Sequence, residues 1–170
     1  MLKLSLTAVD RGQVTIREQV SPGDPLFEGA GVRLAEPLSV DLRATSVGDD
    51  SILVRGTLAT RVVLECRRCL KDVEQDVKVH VDLLFAELGA DEQEEAEGEV
   101  YPIPARGTEL DLAGPVREQL LLAVPEFALC REDCKGLCPQ CGADRNENEC
   151  DCVSEPAASP WDALKKLDLD

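Results

Sequence analysis

The sequence predicts an α+β fold: an antiparallel β-meander or partly closed barrel with one main helix, a cysteine-rich zinc-binding tail and a short terminal helix. Three observations predict it. Residues 38–86 contain long runs in which apolar and polar side chains alternate, the period of a half-buried strand. Residues 111–124 place apolar side chains at helical spacing instead. Six of the eight cysteines fall between Cys130 and Cys152.

Taken in order, residues 2–9 and 14–20 each predict a strand, and the Pro- and Gly-rich stretch 21–31 a loop. Leu38, Val40, Leu42 and Ala44 alternate with Ser39, Asp41, Arg43 and Thr45 in the next strand. Gly48-Asp49-Asp50 makes a turn. Ile52 to Leu64 reads as a further strand, with Gly56 as a bulge. Val73, Val77, Val79, Val81, Leu83 and Phe85 share the inner face of the strand after it. Glu74, Asp76, Lys78, His80 and Asp82 share its outer face. Cys66 and Cys69 form a C-x-x-C at the connection between these last two strands, where a shared metal would pin the hairpin's register.

Glu87, Asp91, Glu92, Glu94, Glu95, Glu97 and Glu99 follow without a basic residue among them, which predicts a solvated loop. The helix over Asp111–Val124 takes Asp111 as its cap, tolerates Pro115 in its first turn, and aligns Leu112, Val116, Leu120 and Ala123. Pro125 ends it. Ser159 and Pro160 predict the start of a short closing helix, anchored on the core by Trp161. The expected organisation is a sheet-plus-helix core over 1–128 and a cysteine-rich tail over 129–170 packed on it.

With 170 residues the chain fits one domain, and 44% apolar content supports a core built from Val, Leu and Ala, since aromatics are only 3%. The net charge of −16 is unevenly placed. Residues 1–80 hold eleven Lys/Arg against twelve Asp/Glu, and residues 81–170 hold seven against twenty-two. No apolar run is long enough for a membrane span, and the N-terminal stretch reads as no secretory leader, so a cytoplasmic, reducing setting is expected. There, clustered thiols more often bind metal than form disulfides.

Four thiolates in a closed tetrahedron are the preferred structural set for Zn(II), and eight cysteines make two such sets. Cys138, Cys141, Cys150 and Cys152 can close one locally, leaving Cys66, Cys69, Cys130 and Cys134 for a long-range second. Alternatively Cys66 and Cys69 meet Cys138 and Cys141, leaving Cys130, Cys134, Cys150 and Cys152; a single filled site is a third arrangement. A thioredoxin-like pair would need C-x-x-C opening a helix, and Cys150-x-Cys152 matches neither ferredoxin spacing. Catalytic zinc commonly uses histidine, and His80, the one histidine, falls on a polar strand face. Without a nucleophile elbow, P-loop or dinucleotide turn either, a non-enzymatic protein with no small-molecule substrate is expected. Arg61, Arg67, Arg68 and Lys71, with Arg55, form a basic patch around the first C-x-x-C. Its role is either local RNA contact or compensation of nearby thiolate charge, the latter favoured.

LECRRCL at 64–70, an acidic loop, a Leu-rich helix ending in Pro, and LCREDCKGLCPQCG at 129–142 followed by Cys150 and Cys152 resemble the cysteine-rich branch of the YceD family, the large ribosomal RNA subunit accumulation proteins. SPWDALKKL is similar to that branch's closing helix. Two departures stand out: Asp144-Arg145-Asn146 replaces an Asn-Leu-Asn-like run, and Ser159-Pro160-Trp161 replaces Asp-Pro-Arg. The resemblance implies a factor supporting 23S rRNA accumulation and large-subunit assembly. The acidic half then suits a basic ribosomal protein or assembly factor as partner. Two other functions fit the same thiols: a zinc-stabilised interaction module unrelated to ribosomes, and a redox sensor.

Overall fold

The computed structural model describes residues 2–48, 50–87, 100–104 and 107–152. Its elements are β1 (Lys3–Ser5), the single helical turn α1 (Leu6–Val9), β2 (Val14–Val20), β3 (Arg33–Leu34), β4 (Leu38–Ser46), β5 (Ser51–Glu65), β6 (Asp72–Ala86), β7 (Val100–Pro102), β8 (Glu109–Asp111) and α2 (Ala113–Ala123). A 3-10 turn, Pro25–Phe27, interrupts the loop after β2. The Asp24 carboxylate accepts the Leu26 N–H there, and Phe27 is buried.

Period-two patterning is what builds the main sheet. Leu38, Val40, Leu42 and Ala44 of β4, Ile52, Val54, Leu58 and Val62 of β5, and Val77, Val81, Leu83 and Phe85 of β6 are all buried on one face. Each fully buried Val, Leu or Phe contributes roughly 1.5–3 kcal/mol relative to exposure, so this register is strongly specified. β5 and β6 pair in an unbroken antiparallel ladder from Ser51↔Ala86 to Glu65↔Asp72, and their connection is the Cys66–Lys71 loop. The strand order is β2-β4-β5-β6-β7, with β3 lying beside β5 beyond the end of β4. Among the described residues β2 and β7 do not pair, so of the two expected forms the sheet takes the open meander rather than the partly closed barrel.

Several local expectations change. Residues 2–9 are not one strand: Lys3–Ser5 pair with Glu109–Asp111 and the chain then turns helically. Gly56 is not a bulge, because the ladder runs through it as Leu42↔Gly56 and Gly56↔Val81. Glycine is needed for another reason. A Cβ at position 56 would lie 2.0 Å from the Asp41 carbonyl oxygen, so β4 and β5 approach here more closely than any side chain permits. β7 is parallel to β6, which local patterning does not announce; the acidic run spans the long connection that parallel pairing requires.

Helix α2 lays Val116 and Leu120 on the sheet, with Leu112 just before it, all with 0% exposure. Leu112, not Asp111, is the cap residue, although the Asp111 carboxylate still accepts the Ala113 N–H at 2.9 Å. Tyr101 of β7 donates to Glu118 at 2.9 Å, tying helix to sheet edge. No described helix is long and apolar enough to cross a membrane. Residues 88–99 of the acidic run and the closing helix expected from Ser159 lie outside the described residues.

Candidate metal centre

Two loops of the chain have the same local design. In Cys66-Arg67-Arg68-Cys69-Leu70 the Leu70 N–H bonds to the Cys66 carbonyl at 2.8 Å, and the Cys66 N–H to the Lys71 carbonyl at 2.8 Å. In Cys138-Pro139-Gln140-Cys141-Gly142 the corresponding bonds are Gly142 to Cys138 at 2.9 Å and Cys138 to Ala143 at 2.8 Å. Both loops close through a left-handed residue after the second cysteine, Leu70 (φ 60°) and Gly142 (φ 73°). This turn leaves the N–H groups inside the loop aimed at the first sulfur. Burial opposes ionisation of Cys66, but N–H groups of Cys130, Cys69 and Arg68 donate to its sulfur and bring its pKa below the ordinary thiol value. Those of Cys141 and Gln140 do the same for Cys138.

After α2 the chain passes alongside the first loop. Ala128 bridges to Cys66 in parallel fashion, and its carbonyl accepts the Arg67 N–H at 3.0 Å. This delivers Cys130 and Cys134 to the hairpin tip. The sulfurs of Cys66, Cys69, Cys130 and Cys134 all lie within 4.8 Å of one another, and so do those of Cys138, Cys141, Cys150 and Cys152. The structure thus gathers the eight thiols in the first of the arrangements set out above. Cys66–Cys134 and Cys69–Cys130 are 3.9 Å and 3.6 Å apart. Bonds of 2.3 Å at the tetrahedral angle separate sulfurs by about 3.8 Å, whereas a disulfide needs about 2.05 Å. The spacing fits four thiolates around one ion.

Charge supports the same fit. Hydrogen bonding to a neighbouring sulfur, Cys134 for Cys130 and Cys141 for Cys152, together with burial, pushes the pKa of both thiols up to about 12. A divalent cation at the centre removes the mutual repulsion of the thiolates. All donors are soft thiolates, the set preferred by structural Zn(II).

The two clusters are joined through Lys71, already a candidate from sequence, and through Asn146, Asp144, Glu147 and Gly136, which sequence reasoning did not select. Asn146, from the second cluster's loop, directs its amide N–H to the Cys134 sulfur at 3.5 Å, while its carbonyl oxygen accepts from the Lys135 N–H at 2.7 Å and from Arg131 at 2.9 Å. Lys71 of the first loop pairs with Asp144 at 2.7 Å and with Glu147. Lys71 and the Asn146 N–H together hold the Asp144 carboxyl near pKa 2. Gly136 (φ 71°) passes so close that a Cβ there would lie 2.7 Å from the Arg68 carbonyl oxygen. The only signal in the sequence was that Asp144-Arg145-Asn146 replaces the Asn-Leu-Asn-like run of the resembling family.

The four cations singled out from sequence separate into different roles. Arg68 donates to the carbonyls of Glu132 and Cys134 at 3.1 and 2.8 Å, fastening the tail. Arg67 stacks on the exposed ring of Phe127, 4.4 Å from its centroid. Lys71 carries the Asp144 bridge. Arg61 instead pairs with Asp76 at 2.7 Å and Glu36 at 3.2 Å on the sheet, and Arg55 pairs with Asp82. These two balance carboxylates rather than thiolates. His80 is exposed, with Nδ1 3.3 Å from the Thr57 hydroxyl.

Residues 54–168 match the family described as large ribosomal RNA subunit accumulation protein YceD, which is more than half of the chain. The chain belongs to the YceD family. The YceD match begins inside β5 and runs through both cysteine loops. An uncharacterized protein of Mycobacterium tuberculosis is 42% identical over 107 residues, 62% of this chain and 50% of its own. Another from Mycobacterium leprae is 37% identical over 110 residues, 62% of this chain and 48% of its own. The Arabidopsis thaliana protein named large ribosomal RNA subunit accumulation protein YCED homolog 1, chloroplastic, is 26% identical over 137 residues, 66% of this chain and 43% of its own. This YceD chain spans about half the length of the curated relatives it matches. No solved structure matches it.

Proposed function

We propose that this protein is a non-enzymatic cytoplasmic factor supporting 23S rRNA accumulation and large ribosomal subunit assembly. In this reading Cys66, Cys69, Cys130 and Cys134 hold one Zn(II), and Cys138, Cys141, Cys150 and Cys152 hold a second. The metal fixes the tail against the β5–β6 tip, and the acidic half of the chain grips a basic ribosomal protein or assembly factor. The observation that carries it is the family match, which includes all eight cysteines. The −15 balance beyond residue 80 supports the choice of a basic partner.

The test has three parts. Depletion should lower 23S relative to 16S rRNA and reduce the large-subunit peak in gradients; normal profiles would refute the ribosomal role. Metal analysis of protein purified without added metal should give two zinc per chain. Pull-down from nuclease-treated lysate should retain a basic protein that salt releases. Retention of none would refute the partner.

A further inference from the structure

The outer face of the main sheet carries a groove of about 460 Å³ lined by Asp41, Arg43, Arg55, Gly56, Thr57 and Lys78. Its charges are unusual for a chain of net charge −16. The ladder places Arg43 directly opposite Arg55 on the neighbouring strand. Like charges facing each other across a sheet are destabilising unless something between them is negative. Arg55 has one carboxylate partner, Asp82, and Asp41 is already held by Arg17 at 3.0 Å. Among the described residues, the side chains of Arg43 and Lys78 have neither an ion-pair nor a hydrogen-bond partner. The lining itself therefore holds three cations, Arg43, Arg55 and Lys78, against one carboxylate, Asp41, a balance of +2; Asp76, two residues from Lys78 on the same face, is paired with Arg61 at 2.7 Å. By contrast, the cations around the first cysteine loop already have partners within the chain.

We propose that this groove binds the phosphodiester backbone of a single-stranded RNA segment. Lys78 pairs with Ala59, four residues along β5 from Arg55, which is about 13 Å at the usual strand rise. A lone phosphate spans too little to meet both ends, whereas an extended strand reaches both. No apolar side chain lines the groove, so an acidic peptide would bury little there. A polynucleotide gains instead from releasing condensed counterions. The acidic remainder of the chain does not forbid this, since charges farther off than about 8 Å are largely screened at physiological salt. Without an aromatic platform the contact reads backbone and not bases. The ribosomal reading enters only in choosing RNA among polyanions.

The experiment uses full-length protein and a fluorescein-labelled twelve-residue oligouridylate, followed by anisotropy from 50 to 200 mM salt. Two or three phosphate contacts predict a log–log salt slope of about −1.4 to −2.1. Arg43→Glu with Lys78→Glu should weaken binding at least tenfold and flatten the slope. Arg11→Glu with Arg33→Glu makes the same change in net charge elsewhere and should stay within twofold of the parent. Circular dichroism and metal content of both variants should match the parent. Equal binding by the groove variant, or an equal loss in the control variant, overturns the proposal. So does displacement by polyglutamate or inorganic phosphate as effective as by unlabelled oligouridylate at equal charge. A depletion strain with normal 23S levels would sink the ribosomal reading while leaving this binding curve intact; a flat curve would sink the groove and leave the strain's phenotype intact.

Discussion

Replacing Cys130 by Ser should destabilise the protein more than replacing Cys152 by Ser. Both side chains are exposed and both belong to four-sulfur sets, so burial and donor count are matched. What differs is the length of chain each ion closes. Cys69 and Cys130 are 61 residues apart. Treating the metal as a cross-link, the loop-closure entropy removed from the unfolded chain is worth about 4 kcal/mol for that span. In the second set the longest internal gap is from Cys141 to Cys150, and the same relation gives roughly 2.6 kcal/mol. The difference of about 1.5 kcal/mol is readable by urea unfolding followed by circular dichroism at fixed free zinc. Adding a strong chelator should bring all three proteins together. Equal losses for the two variants, or a larger loss for Cys152→Ser, would refute the idea that the first cluster is the long-range clamp.

Four other outcomes are expected. Gly56→Ala should cost about 3 kcal/mol, the upper end for overpacking, because the new methyl meets the Asp41 carbonyl backbone; denaturant midpoints check this. Leu70→Gly should stabilise by up to about 1 kcal/mol, since left-handed strain is relieved at a site 55% exposed. A clear loss in the same assay would contradict it. Asn146→Ala removes the N–H donor to Cys134 and should lower metal affinity at the first cluster about 10- to 100-fold, measured by competition with a chromophoric chelator. Asp144 has its pKa lowered to about 2, chiefly by Lys71, so its folded-state contribution is complete above its unfolded value near 4 and fades as pH falls toward 2. The stability gap between the parent and Asp144→Asn should therefore be flat from about pH 7 to 5 and narrow below about 4.

Elements whose order is local were legible in the sequence. The alternation of Leu38–Ala44 and Val73–Phe85 specified strands and their inner faces, because burial on one side leaves only one register. That the eight thiols form four-sulfur sets was legible too, with the local grouping of Cys138, Cys141, Cys150 and Cys152 as the first of three arrangements; only the folded chain selects it. The rest depends on which distant segments meet. Nothing near Val100 states that it runs parallel to β6, and nothing near Lys3 states that it pairs with Glu109. Gly56 was recognised as special but given the wrong cause, because a bulge and a close backbone approach leave the same one-letter trace. Asn146 and Asp144 looked like departures from a family pattern. Only their placement beside Cys134 and Lys71 shows what they contact.

The separation of Cys66 from Cys134 by 68 positions also matters while the protein is being made. At typical elongation rates of 5–20 residues per second, Cys66 and Cys69 wait roughly 3 to 14 s for their partners to be synthesised. During that interval the hairpin tip presents two thiols that nothing else in the nascent chain completes. Vectorial synthesis thus leaves a short window in which an oxidant or a competing metal meets half a chelate, and the window closes when the tail leaves the ribosome.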